Sequence, residues 1–259
     1  MTPDPETSSA DLAAAFTVQN FLRARVGSGA RSGPFSILFS PGTRSLYGNY
    51  AIPDDNARPT AAEVVALEEA FRVRRRTPRL EYVPAAAPAV QATLLAAGFT
   101  TEMRPPLMTR RAGEVLPNPL PEGFELRFVD DAAQLDEAVN VEVEANDGDE
   151  GDFQWLKRTV SRGGRVVIAY HRKTNEAASV GAFIAPIDGV TEVVSIATRP
   201  AFRGRGLARA VTTILSEAAF AAGCHLTWLS AAGESQSQIY ARAGYVRRSP
   251  MLFISKPED

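Results

Sequence analysis

The eleven residues Thr198-Arg-Pro-Ala-Phe-Arg-Gly-Arg-Gly-Leu-Ala208 hold the most chemical information in this chain. Gly204 and Gly206 let a ligand approach the backbone closely, and Arg203 and Arg205 add positive charge. The run follows an apolar, strand-like stretch from Val190 to Ala197. It opens a segment with helical spacing, in which Leu207, Val211, Ile214, Leu215 and Ala218 fall at i, i+4, i+7, i+8 and i+11. A glycine turn between a strand and a helix leaves main-chain N–H groups unpaired at the helix start. Those donors, with the positive end of the helix dipole, suit a pyrophosphate.

The spacing narrows the choice of phosphate ligand. A P-loop would place Lys-Ser or Lys-Thr after the second glycine, and a dinucleotide fingerprint would place a third glycine where Arg209 stands. Arg203-Gly204-Arg205-Gly206-Leu207-Ala208, approached by Pro200, instead resembles the Arg/Gln-x-x-Gly-x-Gly/Ala acyl-CoA signature of the GNAT acetyltransferase superfamily. Further on, Ile239-Tyr240-Ala-Arg-Ala-Gly244-Tyr245 resembles the tyrosine-x-x-x-Gly-aromatic run of the same family. Both motifs occur in order at the expected separation, and the resemblance spans roughly residues 124–255.

The resemblance implies acetyl transfer from acetyl-CoA to an amine, with no metal. An alkyl ammonium with pKa about 10.4 is neutral in only ~1 molecule in 2,500 at pH 7, a cost of ~4–5 kcal/mol. A carboxylate, or a water it activates, would therefore remove a proton as the amine attacks the thioester. Tyr240 occupies the position of the family's general acid, which returns a proton to the departing sulfur. Glu192, near the start of the strand leading to the glycine turn, stands where the family often carries a base glutamate. Ile196, Ala197 and Thr198 match the strand end whose backbone holds the pantetheine arm, and a bulge there would expose its polar groups. Arg203, Gly204, Arg205, Gly206, Leu207 and Ala208 would take the diphosphate. The chain departs from the common pattern at Gly233, where many members have Asn seven residues before the tyrosine.

These residues need a sheet and helices to position them, and the chain offers two sets. At an offset of 146 residues, Arg79-Leu-Glu-Tyr-Val-Pro-Ala-Ala lies over His225-Leu-Thr-Trp-Leu-Ser-Ala-Ala. At the same offset Leu94-Leu-Ala-Ala-Gly98-Phe99 lies over Tyr240-Ala-Arg-Ala-Gly244-Tyr245. A helix-like segment from Thr60 to about Arg74 maps onto 206–220, and Pro106-Leu-Met resembles Pro250-Met-Leu. The stretch Ala112 to Gly123 holds three prolines in twelve residues and reads as a linker, followed by an edge strand from Phe124. The expected fold is therefore α/β with mixed layers: two GNAT-like domains in tandem, each a mixed sheet flanked by helices. Residues 1–115 form a degenerate copy and 121–259 the catalytic one. Expected elements of the second copy include a helix at 132–145, strands near 165–170, 178–186 and 190–198, and helices at 206–222 and 234–243. In the first copy Thr60 replaces Gly206 and Leu94 replaces Tyr240. One acetyl-CoA per chain is expected.

Composition sets the outer limits. The chain has 259 residues, 45% hydrophobic and 22% charged, which suits two ordinary globular domains. A net charge of −2 disfavours a nucleic-acid partner. One cysteine suits a reducing cytoplasm, and two histidines make a zinc site of Cys and His improbable. No signal peptide or membrane span is expected. The acceptor would be a small-molecule or peptide amine, and the chain a monomer or homodimer. Six acids in Glu142 to Asp152 would attract a cationic acceptor, with Phe153 and Trp155 beside them. The alternative reading is a non-catalytic acyl-CoA-binding sensor or scaffold, which needs neither Tyr240 nor a base.

Overall fold

The computed structural model describes residues 8–27, 29–41, 43–113, 115–117, 120–146 and 154–257. The chain divides into two compact units, one running to Leu107 and resuming at Arg248, the other running from Met108 to Arg247. Along the first unit come α1 (Ser9–Val26), β1 (Ala30–Ser32), β2 (Phe35–Phe39), β3 (Asn49–Pro53) and α2 (Ala61–Arg72). They are followed by β4 (Arg79–Tyr82), α3 (Val90–Ala96) and β5 (Thr100–Met103). The chain then forms β6 (Leu107–Arg111), β7 (Phe124–Phe128), α4 (Ala132–Ala145), α5 (Gln154–Ser161), β8 (Arg165–His171) and β9 (Glu176–Phe183). It ends with β10 (Val190–Thr198), α6 (Leu207–Ala221), β11 (Leu226–Ser230), α7 (Glu234–Arg242), β12 (Val246–Arg247) and β13 (Leu252–Ser255).

Two mixed sheets result, ordered β1-β2-β3-β4-β13-β5 and β12-β6-β11-β10-β9-β8-β7. Parallel pairing occurs at β3–β4 in the first and β10–β11 in the second. β4 corresponds to β11, and α2 to α6, at the 146-residue offset. The last strand of each repeat lies in the other repeat's sheet: β13 between β4 and β5, β6 between β11 and β12. A linear division into 1–115 and 121–259 therefore does not describe the units. The exchange follows from equivalence, because Pro106-Leu-Met and Pro250-Met-Leu enter matching slots with matching apolar residues. The strands β1, β5, β6 and β12 appear beyond the sequence expectation.

The second sheet is covered on both faces, and its strand pattern shows how. Along β8, Val166, Ile168 and Tyr170 join a core with Ala138 and Val141 of α4 and Leu156 of α5. The intervening Val167 and Ala169 join Leu207, Val211 and Leu215 of α6. This is the period-two alternation of a strand buried on both sides. Among the described residues, no helix is long and apolar enough to cross a membrane.

Candidate functional site

β10 is the strand that builds the site, and it does so by failing to pair along its whole length. Its parallel register with β11 runs from Val190↔Leu226 to Glu192↔Trp228, although β10 continues to Thr198. On its other side the register with β9 slips between Val194 and Ala197. Three steps on β10 there match two on β9 (Val194↔Ala182, Ala197↔Val180), so one residue is extra. Core contacts identify it. Val193 belongs to the α6 side and Val194 to the α4 side, and the alternation resumes with Ile196 and Ala197. Ser195 is the inserted residue, and it sits at φ 53, a left-handed conformation that a non-glycine rarely adopts. The bulge expected at the end of this strand is thus present.

After the strand, Pro200–Phe202 makes one 3-10 turn and the glycines follow. Gly204 (φ 76) and Gly206 (φ 83) are both left-handed, which explains why glycine stands at these two positions. Gly206 is the N-cap of α6 and supplies no side-chain cap. The helix's first internal bond runs from the Ala210 N–H to the Gly206 carbonyl at 3.1 Å. The N–H groups of Leu207, Ala208 and Arg209 are therefore left for a ligand or solvent. The matching helix of the other unit is closed. Thr60 accepts from the Glu63 N–H at 3.3 Å, and the Glu63 carboxylate accepts from the Thr60 N–H at 2.7 Å. That capping box satisfies the Glu63 N–H, whose counterpart in α6 is the open Arg209 N–H.

Bulge, turn and α7 enclose a cavity of about 960 Å³. Of the residues that the sequence offered as site residues, Ile196, Ala197, Thr198, Arg203, Gly204, Gly206, Leu207, Ala208 and Tyr240 line it. Arg205 and Glu192 do not. The Arg205 guanidinium donates to the Ala201 carbonyl at 3.2 Å and stacks over Phe202, so it braces the turn. Glu192 lies in the paired part of β10, half-buried, with its carbonyl accepting from the Ile184 N–H. Arg203 lines the cavity while donating to the Thr198 and Ala145 carbonyls at 3.2 and 2.7 Å. Its guanidinium ties the turn to the end of α4.

Tyr240 projects from α7 and packs against the core beside Tyr245, ring centroids 6.5 Å apart. Burial, with a smaller contribution from Tyr245, pushes its pKa up to about 12. It is a phenol at every physiological pH.

Further lining residues include Ser195, Arg209, Gln236 and Arg242, which the sequence did not single out for the site, and Glu142, which it offered only within the acidic segment. Gln236 precedes Tyr240 by four residues, the spacing of one helix face, so the tyrosine motif could have found it. Arg209 follows the glycine turn, and its Nε is buried with no hydrogen-bond partner among the described residues. Glu142 is buried in the last turns of α4 and accepts a hydrogen bond from the Ser195 hydroxyl. Of the acidic segment, residues 147–152 lie outside the described residues, as does Phe153. Trp155 is half-buried at the start of α5, on the α4 side of the sheet. Among the described residues, no cluster of three or more His, Cys, Asp or Glu side chains could hold a metal ion.

Comparison with known proteins adds the family. Residues 162–247 match the family model for the acetyltransferase (GNAT) domain. A GCN5-related N-acetyltransferase from Kribbella flavida is 25% identical, with 98% of each chain covered and a TM-score of 0.77. A GCN5-related N-acetyltransferase from Sphaerobacter thermophilus shares the fold at 17% identity, covering 96% of this chain and 90% of that one, TM-score 0.69. A tandem GNAT protein from the clavulanic acid biosynthesis pathway shares it at 15% identity, 98% of both chains, TM-score 0.61. No curated protein matches this chain.

Proposed function

This chain carries a GNAT acetyltransferase domain within a tandem of GNAT-like units, and we propose that its second unit transfers acetyl from acetyl-CoA to a primary amine. The observation that supports the reading is the shared cavity. A helix start with open N–H donors, a bulged strand and a half-buried tyrosine all line one space.

The cavity residues fit an acyl-CoA. The main-chain donors of Leu207 to Arg209 and the α6 dipole would hold the diphosphate. Arg209 adds a half-buried cation whose buried Nε has no protein acceptor among the described residues. Ile196, Ala197 and Thr198 offer strand-edge groups to the pantetheine arm where β11 has parted from β10. The co-substrate supplies an activated thioester, and the residues orient it and manage protons. Tyr240 acts as the general acid. With its pKa about 12 it stays protonated, and it releases its proton only as negative charge develops on the leaving sulfur.

Two consequences can be measured. Gly206→Glu places a carboxylate at the phosphate position and a side chain at φ 83, where strain costs about 1 kcal/mol. Acetyl-CoA affinity should fall at least ~10-fold, like charge facing like within a few ångströms, while circular dichroism shows a folded chain. Wild-type affinity by calorimetry would place the phosphate elsewhere. The second consequence is stoichiometry. The first unit caps its helix with Thr60 and Glu63 and buries Leu94 where Tyr240 stands in the second. Titration should give one acetyl-CoA per chain, and thiol release should depend on added amine. Two equal sites, or binding without amine-dependent thiol release, would contradict the reading.

A further inference from the structure

Two buried carboxylates occur among the described residues, Glu81 and Glu142. Glu81 is paired with the guanidinium of Arg79. Glu142 has no cationic partner among the described residues. The groups that bear on it are the Ser195 hydroxyl from β10 and the Trp155 indole from α5. A buried carboxylate without a counter-charge is costly, and proteins keep such groups where a ligand supplies the charge or takes part in proton transfer. Burial raises its pKa above the usual carboxylate range, with those two hydrogen bonds acting the other way. That shift makes it a better proton acceptor near neutral pH.

Its partner points the same way. Ser195 is the extra residue of the bulge, held at φ 53, and it lines the cavity beside Ile196 to Thr198. A strained non-glycine at such a place is a reason to look for function. The Ser195 oxygen donates its proton to Glu142 Oε1 and keeps lone pairs for a group in the cavity. Glu142 and Ser195 both line the cavity, and with Oε2 buried the carboxylate's one hydrogen-bonded oxygen is the one that Ser195 holds.

We propose that Ser195 and Glu142 form the relay that takes the proton from the acceptor's ammonium. The proposal rests on the reading that the second unit acetylates a primary amine. The ammonium gives one proton to Ser195 Oγ as the serine proton moves to Glu142 Oε1. The neutral amine then forms the N–C bond to the acyl carbon, the C–S bond breaks, and sulfur leaves with its electron pair. Tyr240 gives the sulfur a proton and recovers one from the nitrogen, which loses its second proton as the amide forms. Glu142 returns the first proton to solvent.

The test uses the full chain with three variants, Ser195→Gly, Glu142→Gln and the pair together. Glycine accepts φ 53 without strain, so Ser195→Gly keeps the bulge and removes only the hydroxyl. Glutamine still accepts from Ser195 but takes no proton. Each single variant should lower kcat/KM for the amine about 10²-fold at pH 7, the usual effect of a positioned base. The double variant should be no worse than the poorer single one, because the two act as a unit. The deficit should shrink as pH rises toward the amine's own pKa of about 10.4, where the base is no longer needed. Acetyl-CoA affinity should stay within about 2-fold of wild type. An unchanged kcat/KM in either single variant overturns the relay, as does a deficit that is the same at every pH or losses that multiply in the double. Those results in an active wild type leave the acetyltransferase reading intact. A wild type without amine-dependent transfer removes both.

Discussion

A fragment of residues 121–259 should give no cooperative thermal transition, whereas residues 108–247 should give one. The reason is the exchanged strand. β12 pairs with β6 through Val246↔Thr109 and Arg247↔Met108, and β6 also covers the β11 edge. Cutting at 121 removes Met108, which is fully packed in the core and contributes about 2 kcal/mol by burial. It also removes Arg110, whose buried guanidinium pairs with Glu217; breaking such a pair costs about 3–5 kcal/mol. Together these approach the whole stability of a domain, about 5–15 kcal/mol. The same cut keeps β13, with Leu252 and Ile254 fully buried in the intact chain, but removes its partners β4 and β5. An unpaired apolar strand promotes aggregation. A sharp melting transition and wild-type acetyl-CoA affinity in the 121–259 fragment would show that the exchange is dispensable.

Tyr240→Phe should lower kcat about 10²-fold and leave acetyl-CoA affinity nearly unchanged. The ring packs against the core of the second unit and beside Tyr245, and phenylalanine keeps that packing. Only the proton donor is lost. Because burial holds the Tyr240 pKa about 12, the wild-type enzyme should show no alkaline loss of this acid up to pH 9 or 10. The sign follows from the direction of the shift: a raised pKa extends the protonated range upward. Single-turnover rates for wild type and variant across pH 7–10 check both points. An unchanged rate, with chemistry shown to be limiting, would remove Tyr240 from the mechanism.

Much of the second unit could be read from the sequence because its elements declare themselves locally. The helix at 132–145 has an Asp131 cap and regular apolar spacing, and it forms with those bounds. β10 occupies 190–198 as its apolar run suggested. β5 was missed because Thr100 to Met103 is exposed throughout and has no apolar alternation. β6 was missed because Thr109 and Arg110 look like surface residues, yet both are buried in the sheet. Arg110 is tolerated there through Glu217, more than a hundred residues away. The exchange of β6 and β13 depends on which slot each strand fills. The two matching Pro-apolar segments hinted at equivalence without saying that they trade places.

The site divides along the same line. The glycine turn was legible because φ-positive backbone and an uncapped helix start leave a direct mark on residue type. The arrangement along β10 was not: Glu192 stays in the paired part of the strand away from the cavity, and the inserted Ser195 shifts the side chains after it to the other face. Glu142 was visible only as one of six acids in a loop-like run, and its burial against β10 is a tertiary fact.

The most direct test of the account is mass analysis of a mixture of the full chain, acetyl-CoA and a panel of primary amines. Direct transfer between two substrates in one cavity predicts an amine carrying one acetyl group for each CoA thiol released, with the protein's own mass unchanged. Acetyl-CoA that binds one per chain yet remains intact with every amine would contradict it and leave a binding module in its place.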